Sequence, residues 1–148
     1  LEELATMVPG VRLVGEQTGV TLSALQSQAL AHVFPSRSEG LAFSTLEAGG
    51  YARVAVMADI PANREVSGGH AIFTPLDQPE ALIQSLIQVA SMLATERKYL
   101  GQAFAAHVKT QYSFTERIDE TIRAYREVLS GDGTLTTTLP LAEYVLRP

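Results

Sequence analysis

The sequence predicts an α/β fold, a Rossmann-like parallel sheet with flanking helices. Three observations carry this. The short apolar runs His32–Phe34 and Val54–Ala58 lack polar alternation, the pattern of strands buried on both faces. Each run is closed by Pro, Ser or Asp and leads into a stretch with helix-start signals. After a last short run, Ala71–Thr74, the chain continues in helical period alone. Short strands alternating with helices are built from strand–helix–strand units and give a parallel sheet.

Taken in order, Leu1–Met7 reads as the end of a helix, stopped by Pro9-Gly10. Val11–Val14 is a short strand candidate closed by Gly15. Thr21 is positioned to cap a helix over Leu22–Leu30, with Leu22, Leu25, Ala29 and Leu30 to one side. His32–Phe34 follows as a strand, then the polar, Gly-containing loop Ser36–Phe43. Ser44-Thr45-Leu46-Glu47 has the spacing of a capping box, which predicts a helix beginning at Ser44 and weakened early by Gly49-Gly50. Val54–Ala58 is a second buried strand. Asp59–Gly69 reads as a loop holding one helical turn around Arg64-Glu65, and Ala71–Thr74 as the last strand. Asp77-Gln78-Pro79-Glu80 combines a capping Asp, an early Pro and a Glu at the third helical position. Leu82, Ile83, Leu86, Ile87, Ala90 and Leu93 then repeat at helical spacing and form a core face. A further helix is expected over Leu100–Gln111, and the box Ser113-Phe114-Thr115-Glu116 opens another through about Leu129.

Composition narrows the function classes. The chain has 148 residues, enough for one domain with a sizeable core. Only 18% are charged, below the usual quarter, so either much of the chain is expected to face inward or some surface to meet another domain. Eleven Lys and Arg against sixteen Asp and Glu leave a net charge of −5, and the longest basic run is Arg97-Lys98, so no nucleic-acid footprint is present. With no cysteine, disulfides, thiolate metal sites and cysteine nucleophiles are excluded. The three histidines are scattered and offer no local metal-ligand spacing. His32 is expected as a core or edge residue, and His70 and His107 as exposed. No apolar run is long enough to span a membrane, and LEELATMVPG has no signal-peptide pattern, so a cytoplasmic location is expected. The chain opens without Met on what reads as mid-helix, which predicts a piece of a longer protein. The Rossmann-like domain is expected over residues 1–130, lacking its first strands, with a flexible C-terminal tail over 131–148.

The chemistry-bearing stretch is Phe34–Ala48, FPSRSEGLAFSTLEA. In an open parallel sheet, ligands bind beyond the carboxyl ends of the strands, and this loop follows a strand and precedes a helix. Gly40 permits close backbone approach, and the following helix start has free amides and a positive dipole end suited to phosphate. Glu47, one turn in, can accept hydrogen bonds from vicinal hydroxyls such as those of a ribose. Glu39 can face a second polyol or a developing positive charge. The plainer alternative makes Glu47 the partner of Ser44 in the capping box, Glu39 a solvated turn residue, Arg37 a surface charge and Arg64-Glu65 a structural pair.

FPSRSEGLAFSTLEA resembles the FPS…EG…EA motif of the retaining glycosyltransferases of family 4. DIPANREV, HAIFTPLDQPEAL and YSFTERIDETIRAYREVL resemble the segments that follow it in that family, and VRLVGEQTGVTLSALQSQALAHVF the segment before it. The resemblance covers about Val11–Leu129 in order. It implies the GT-B architecture, with this chain supplying most of the C-terminal domain and binding a nucleoside-diphosphate sugar. By resemblance Glu47 holds the nucleotide ribose, Glu39 lies at the transferred sugar as the catalytic carboxylate, and the amides of Gly40, Leu41, Ala42 and Phe43 meet donor sugar and phosphate. No metal or cofactor is implied; the donor is a co-substrate, the acceptor is unspecified, and the N-terminal domain is a partner. The family's Cys-Gly-Thr/Arg-Pro turn is replaced here by Tyr51-Ala52-Arg53-Val54, and its upstream diphosphate-binding Arg and Lys have no match. These departures leave a second reading, a degenerate, non-catalytic glycosyltransferase-like binding module.

Overall fold

The computed structural model describes residues 2–130. The order of elements is α1 (Glu2–Met7), α2 (Gly19–Gln28), β1 (Ala31–Phe34), α3 (Phe43–Gly50), β2 (Val54–Ala58), α4 (Pro61–Ser67), β3 (Ile72–Thr74), α5 (Pro79–Ser91), α6 (Ala94–Gln111) and α7 (Phe114–Leu129). The expected tail, 131–148, lies outside the described residues.

The three strands form one parallel sheet in the order β1-β2-β3. Ala31 pairs in register with Val54 and Phe34 with Met57, while Val56 pairs with Ile72 and Ala58 with Thr74. Each step to the neighbouring parallel strand passes through one helix, α3 and then α4, and these two helices touch. Right-handed crossovers are the rule for such units, and two of them between successive neighbours bring their helices together on one face. The α/β fold with a parallel sheet and flanking helices is therefore present.

The core is centred on β2, whose five residues are all buried. Val54 and Val56 lie on one face of the strand and pack with Val89 of α5, and Ala31, Ile72, Leu82 and Leu100 close around them. The Leu82–Val89 part of the predicted apolar stripe thus does the covering, at roughly 1.5–3 kcal/mol per fully buried aliphatic side chain. Small residues let α6 approach. A Cβ on Gly101 would lie 2.1 Å from the carbonyl oxygen of Ala52, and one on Gly49 would lie 2.8 Å from Val108 and 3.0 Å from Phe104.

Several local expectations are corrected. Val11–Val14 is not a strand, because its backbone pairs with no other strand among the described residues. Helix α2 starts at Gly19 after Thr18, not after Thr21. Helix α3 starts one residue before Ser44, with Ala42 at the cap position and no side-chain cap bond, so the Ser44–Glu47 box does not form. Asp59–Gly69 holds a full helix, α4, begun by Pro61 and closed by left-handed Gly68, against which the His107 ring is packed. Asp77 is a left-handed turn residue, φ 59°, and Gln78 takes the cap position of α5. Helix α6 begins at Ala94, six residues before the expected Leu100.

The chain divides between Val108 and Lys109 into two units. In the second, α7 forms as expected: Ser113 caps it by accepting the Glu116 N–H at 3.5 Å, and Arg117 pairs with Glu120 at 2.8 Å. Its apolar residues Ile118, Ile122, Tyr125 and Leu129 recur at helical spacing.

The turn between α3 and β2 yields a prediction. Ala52 sits at φ 53°, a left-handed conformation that costs a non-glycine residue about 1–2 kcal/mol. Ala52→Gly is expected to raise stability by about 0.5–1 kcal/mol, the relief being partly offset by glycine's unfolded-state entropy. Gly101→Ala, which drives a methyl into the Ala52 carbonyl, is expected to lower it by about 2 kcal/mol or more. Urea unfolding of the two variants checks both signs.

Candidate functional site at the carboxyl edge of the sheet

The carboxyl ends of the strands are Phe34, Ala58 and Thr74. Backbone and buried side chains hold this edge. The Asp59 N–H donates to Thr74 O at 2.8 Å, the Thr74 hydroxyl donates to Met57 O at 3.2 Å, and the buried Asn63 amide donates to Ala58 O at 2.8 Å. Arg64 forks onto both carboxylate oxygens of Asp59, at 2.5 and 2.8 Å, and its guanidinium stacks over Phe73 at 4.4 Å. The Arg64 bond holds the Asp59 carboxyl below the usual carboxylate range. Arg64 therefore pairs with Asp59, which begins its own loop, rather than with its neighbour Glu65. Arg37, in the loop after β1, pairs with Asp77, in the loop after β3, at 2.5 Å. Their side chains are 76% and 61% exposed, so this rim bridge adds little stability.

Helix α3 presents two distinct faces. Ala42, Thr45, Ala48 and Gly49 are buried against the protein. Phe43, Ser44, Glu47 and Gly50 are exposed, Phe43 to 71%. Phe43 and Glu47 are four apart and so neighbours on one helix face. Thr45 N–H already bonds Ala42 O at 3.0 Å, but the amides of Phe43 and Ser44 precede the first intrahelical bond. With an apolar Ala42 at the cap position, no cap side chain satisfies them. The outward face of α3 thus carries, within one turn, donor amides at a positive helix end and then a carboxylate. A Cβ at Gly40 would meet nothing within 4 Å, so the space above the preceding loop is open. Glu39 is half-buried in that loop.

Glu47 also lines a groove of about 460 Å³ between α2 and α3, with Gly19, Leu22, Ser23, Gln26, Gly50 and Tyr51. That volume suits a small ligand. The Tyr51 hydroxyl donates to Ser23 Oγ at 2.9 Å and ties the walls together. Gln26 Oε1 is buried without a hydrogen-bond partner among the described residues. No cation lines the groove, so it offers acceptors to a neutral, hydroxyl- or N–H-bearing group. Ser23, Gln26 and Tyr51 were not singled out from sequence. Ser23 and Gln26 are three apart and share a helix side, but nothing local tells that this side faces α3.

A family model described as glycosyl transferases group 1 matches residues 1–92. The chain belongs to this family. The matched span takes in α1 to α5, and with them the loop after β1, the helix α3 and the groove. Among curated proteins no match was found. Glycosyl transfer is therefore the activity to which this group 1 domain belongs. Among the described residues no cluster of three His, Asp or Glu side chains is arranged to hold a metal ion, and no helix is long and apolar enough to cross a membrane.

The histidines take different places. His32, on β1, is half-buried, and its Nε2 lies 3.1 Å from Gln26 O. Burial lowers its pKa from the ordinary histidine value, outweighing the Gln26 bond. His70 is exposed, but His107 is half-buried, with Nε2 at 3.1 Å from Glu65 O and its ring 6.2 Å from that of His70. The expected exposure of His107 is corrected by its packing on Gly68. Because folded His32 takes up a proton less readily than unfolded His32, its effect is absent above the ordinary histidine range and stability falls as pH drops through it. His32→Gln is expected to lose less stability than the parent between pH 7.5 and 5.5 in urea unfolding. Equal losses would contradict this environment for His32.

Proposed function

We propose that the chain is the donor-binding part of a retaining glycosyltransferase of the family-4, GT-B type, which moves a sugar from a nucleoside-diphosphate sugar to an acceptor. The observation that carries the proposal is the outward face of α3, with unpaired first amides followed one turn later by Glu47. A diphosphate is the group that a helix N-terminus with free amides holds best. The amides of Gly40, Leu41, Ala42 and Phe43 meet the β-phosphate and the sugar. Glu47 then accepts the two ribose hydroxyls about one helical turn away, and Gln26 offers a further acceptor to the nucleoside end in the same groove.

Failure of the Ser44 cap bears directly on the role of Glu47. A Glu at the third helical position has a structural role when it answers an N-cap Ser. Here Ser44 is inside the helix, and Glu47 stands exposed on the outer face. Glu39 is the carboxylate at the transferred sugar. It stabilises positive charge that develops as the sugar–phosphate bond breaks, while the amides stabilise the departing diphosphate. Both carboxylates position the donor, unlike the acid and base of a hydrolase. The acceptor is held by the N-terminal domain of a GT-B protein, so the chain by itself is expected to show no turnover. No metal or cofactor enters this scheme, and the cytoplasm, where such donors are made, is the proposed location.

A ligand that binds only the folded state raises apparent stability by about 2.7 kcal/mol at a hundredfold excess over Kd. In a thermal-shift screen of the complete parent protein against UDP, GDP, ADP and their sugar conjugates, one nucleotide is expected to raise Tm. Glu47→Ala is expected to abolish that shift. Glu39→Ala is expected to keep the shift and lower turnover by at least tenfold. If both variants bind and turn over like the parent, the assignment of these carboxylates is wrong.

A further inference from the structure

A second cavity lies away from the carboxyl edge. It has a volume of about 510 Å³ and opens at the amino ends of β1 and β2, between the end of α2 and the first turns of α6. Arg53, Arg97 and Lys98 line it, with the amides of Gln28 and Gln102 and an apolar floor that includes Leu30 and Val54. No carboxylate lines it.

We propose that this cleft binds a small molecule bearing oxyanion groups, phosphate or carboxylate, at a site separate from the donor pocket. The first argument is the charge that the cleft leaves unanswered. In a chain of net charge −5, these three cations share one cleft and have no ion-pair partner among the described residues.

The second argument is how the cations are held. Arg53 donates to Ser27 O in the last turn of α2, and Arg97 donates to Val89 O and Met92 O at the end of α5. These bonds fix each guanidinium at a helix C-terminus, where about half a negative charge resides. Two such ends leave the cleft with a net positive charge of about two. Each guanidinium has five N–H donors, and one Arg53 nitrogen and one Arg97 nitrogen are used on these carbonyls. The remaining donors are preorganised by backbone, so little side-chain entropy is lost when they meet an oxyanion. Glu96 stands on the same turn as Arg97, but its carboxylate accepts the Leu93 N–H at 3.0 Å and answers the start of α6 instead.

The size matches a compact ligand of several charged groups, since small-molecule sites occupy about 300–1,000 Å³. The cleft lies at the opposite ends of the strands from Phe34 and Ala58. The cleft shares no lining residue with the groove at Glu47.

The test is titration calorimetry of the complete chain with pyrophosphate and with citrate, as phosphoryl and carboxylate probes. Lys98 is exposed, so Lys98→Gln is expected to keep the fold. Lys98→Gln is expected to weaken binding at least fivefold and to reduce its salt dependence, and Arg97→Gln to weaken it further. Lys109→Gln, which removes the same charge outside the cleft, serves as the control and is expected to leave this binding intact. Binding of pyrophosphate alone identifies a phosphoryl ligand, binding of citrate alone a carboxylate ligand, and both a general oxyanion site. Unchanged affinity for both probes in Lys98→Gln, or no binding of either by the parent, overturns the proposal.

Discussion

The burial of β2 on both faces is the constraint on which the rest of the structure depends. Val54–Ala58 is the middle of the sheet, so both other strands take their register from it. A strand buried this way can hold only apolar side chains, and VAVMA supplies them. Because the pairing is parallel, each connection must return along the sheet, and each return is a helix. All three strand ends that open into loops therefore lie on one edge. The β1 loop with Glu39 and Gly40, the start of α3, the Asp59–Arg64 pair and Asp77 gather there because β2 orders the sheet.

The same geometry separates two kinds of surface. At the carboxyl edge, the first amides of α3 and its outward carboxylate are proposed to hold an anion and a hydroxyl-bearing group. At the amino edge, the ends of α2 and α5 draw in arginines that cap their carbonyls. Three cations without an opposing carboxylate thus gather on the side away from Glu47, although the chain as a whole is acidic.

Much of this organisation was legible in the sequence. The strands His32–Phe34, Val54–Ala58 and Ala71–Thr74 were visible as short unbroken apolar runs and lie within one residue of β1, β2 and β3. Ser113 and the helix after it were visible because a cap acts within one turn. What failed were choices between local signals. Ser44-x-x-Glu47 and Asp77 both had the right spacing for caps, but packing decided otherwise. Burial of Ala42 and Thr45 sets the start of α3, and the left-handed turn at Asp77 moves the start of α5 to Pro79. Val11–Val14 had strand composition, but a strand needs a partner, and partners are a property of the whole sheet. The groove and the basic cleft were not legible for the same reason: Gln26 and Glu47, or Arg53 and Arg97, are brought together by tertiary packing across 21 and 44 positions of sequence.

The central claim is that the loop after β1 and the outer face of α3 form one ligand site. Amide chemical-shift mapping of the isotope-labelled chain, titrated with the nucleoside diphosphates UDP, GDP and ADP, tests it most directly. The account predicts that one of them shifts the amides of Gly40–Ser44 together with Glu47 and Gln26. Shifts confined to residues elsewhere, or none with any of the three, would contradict it.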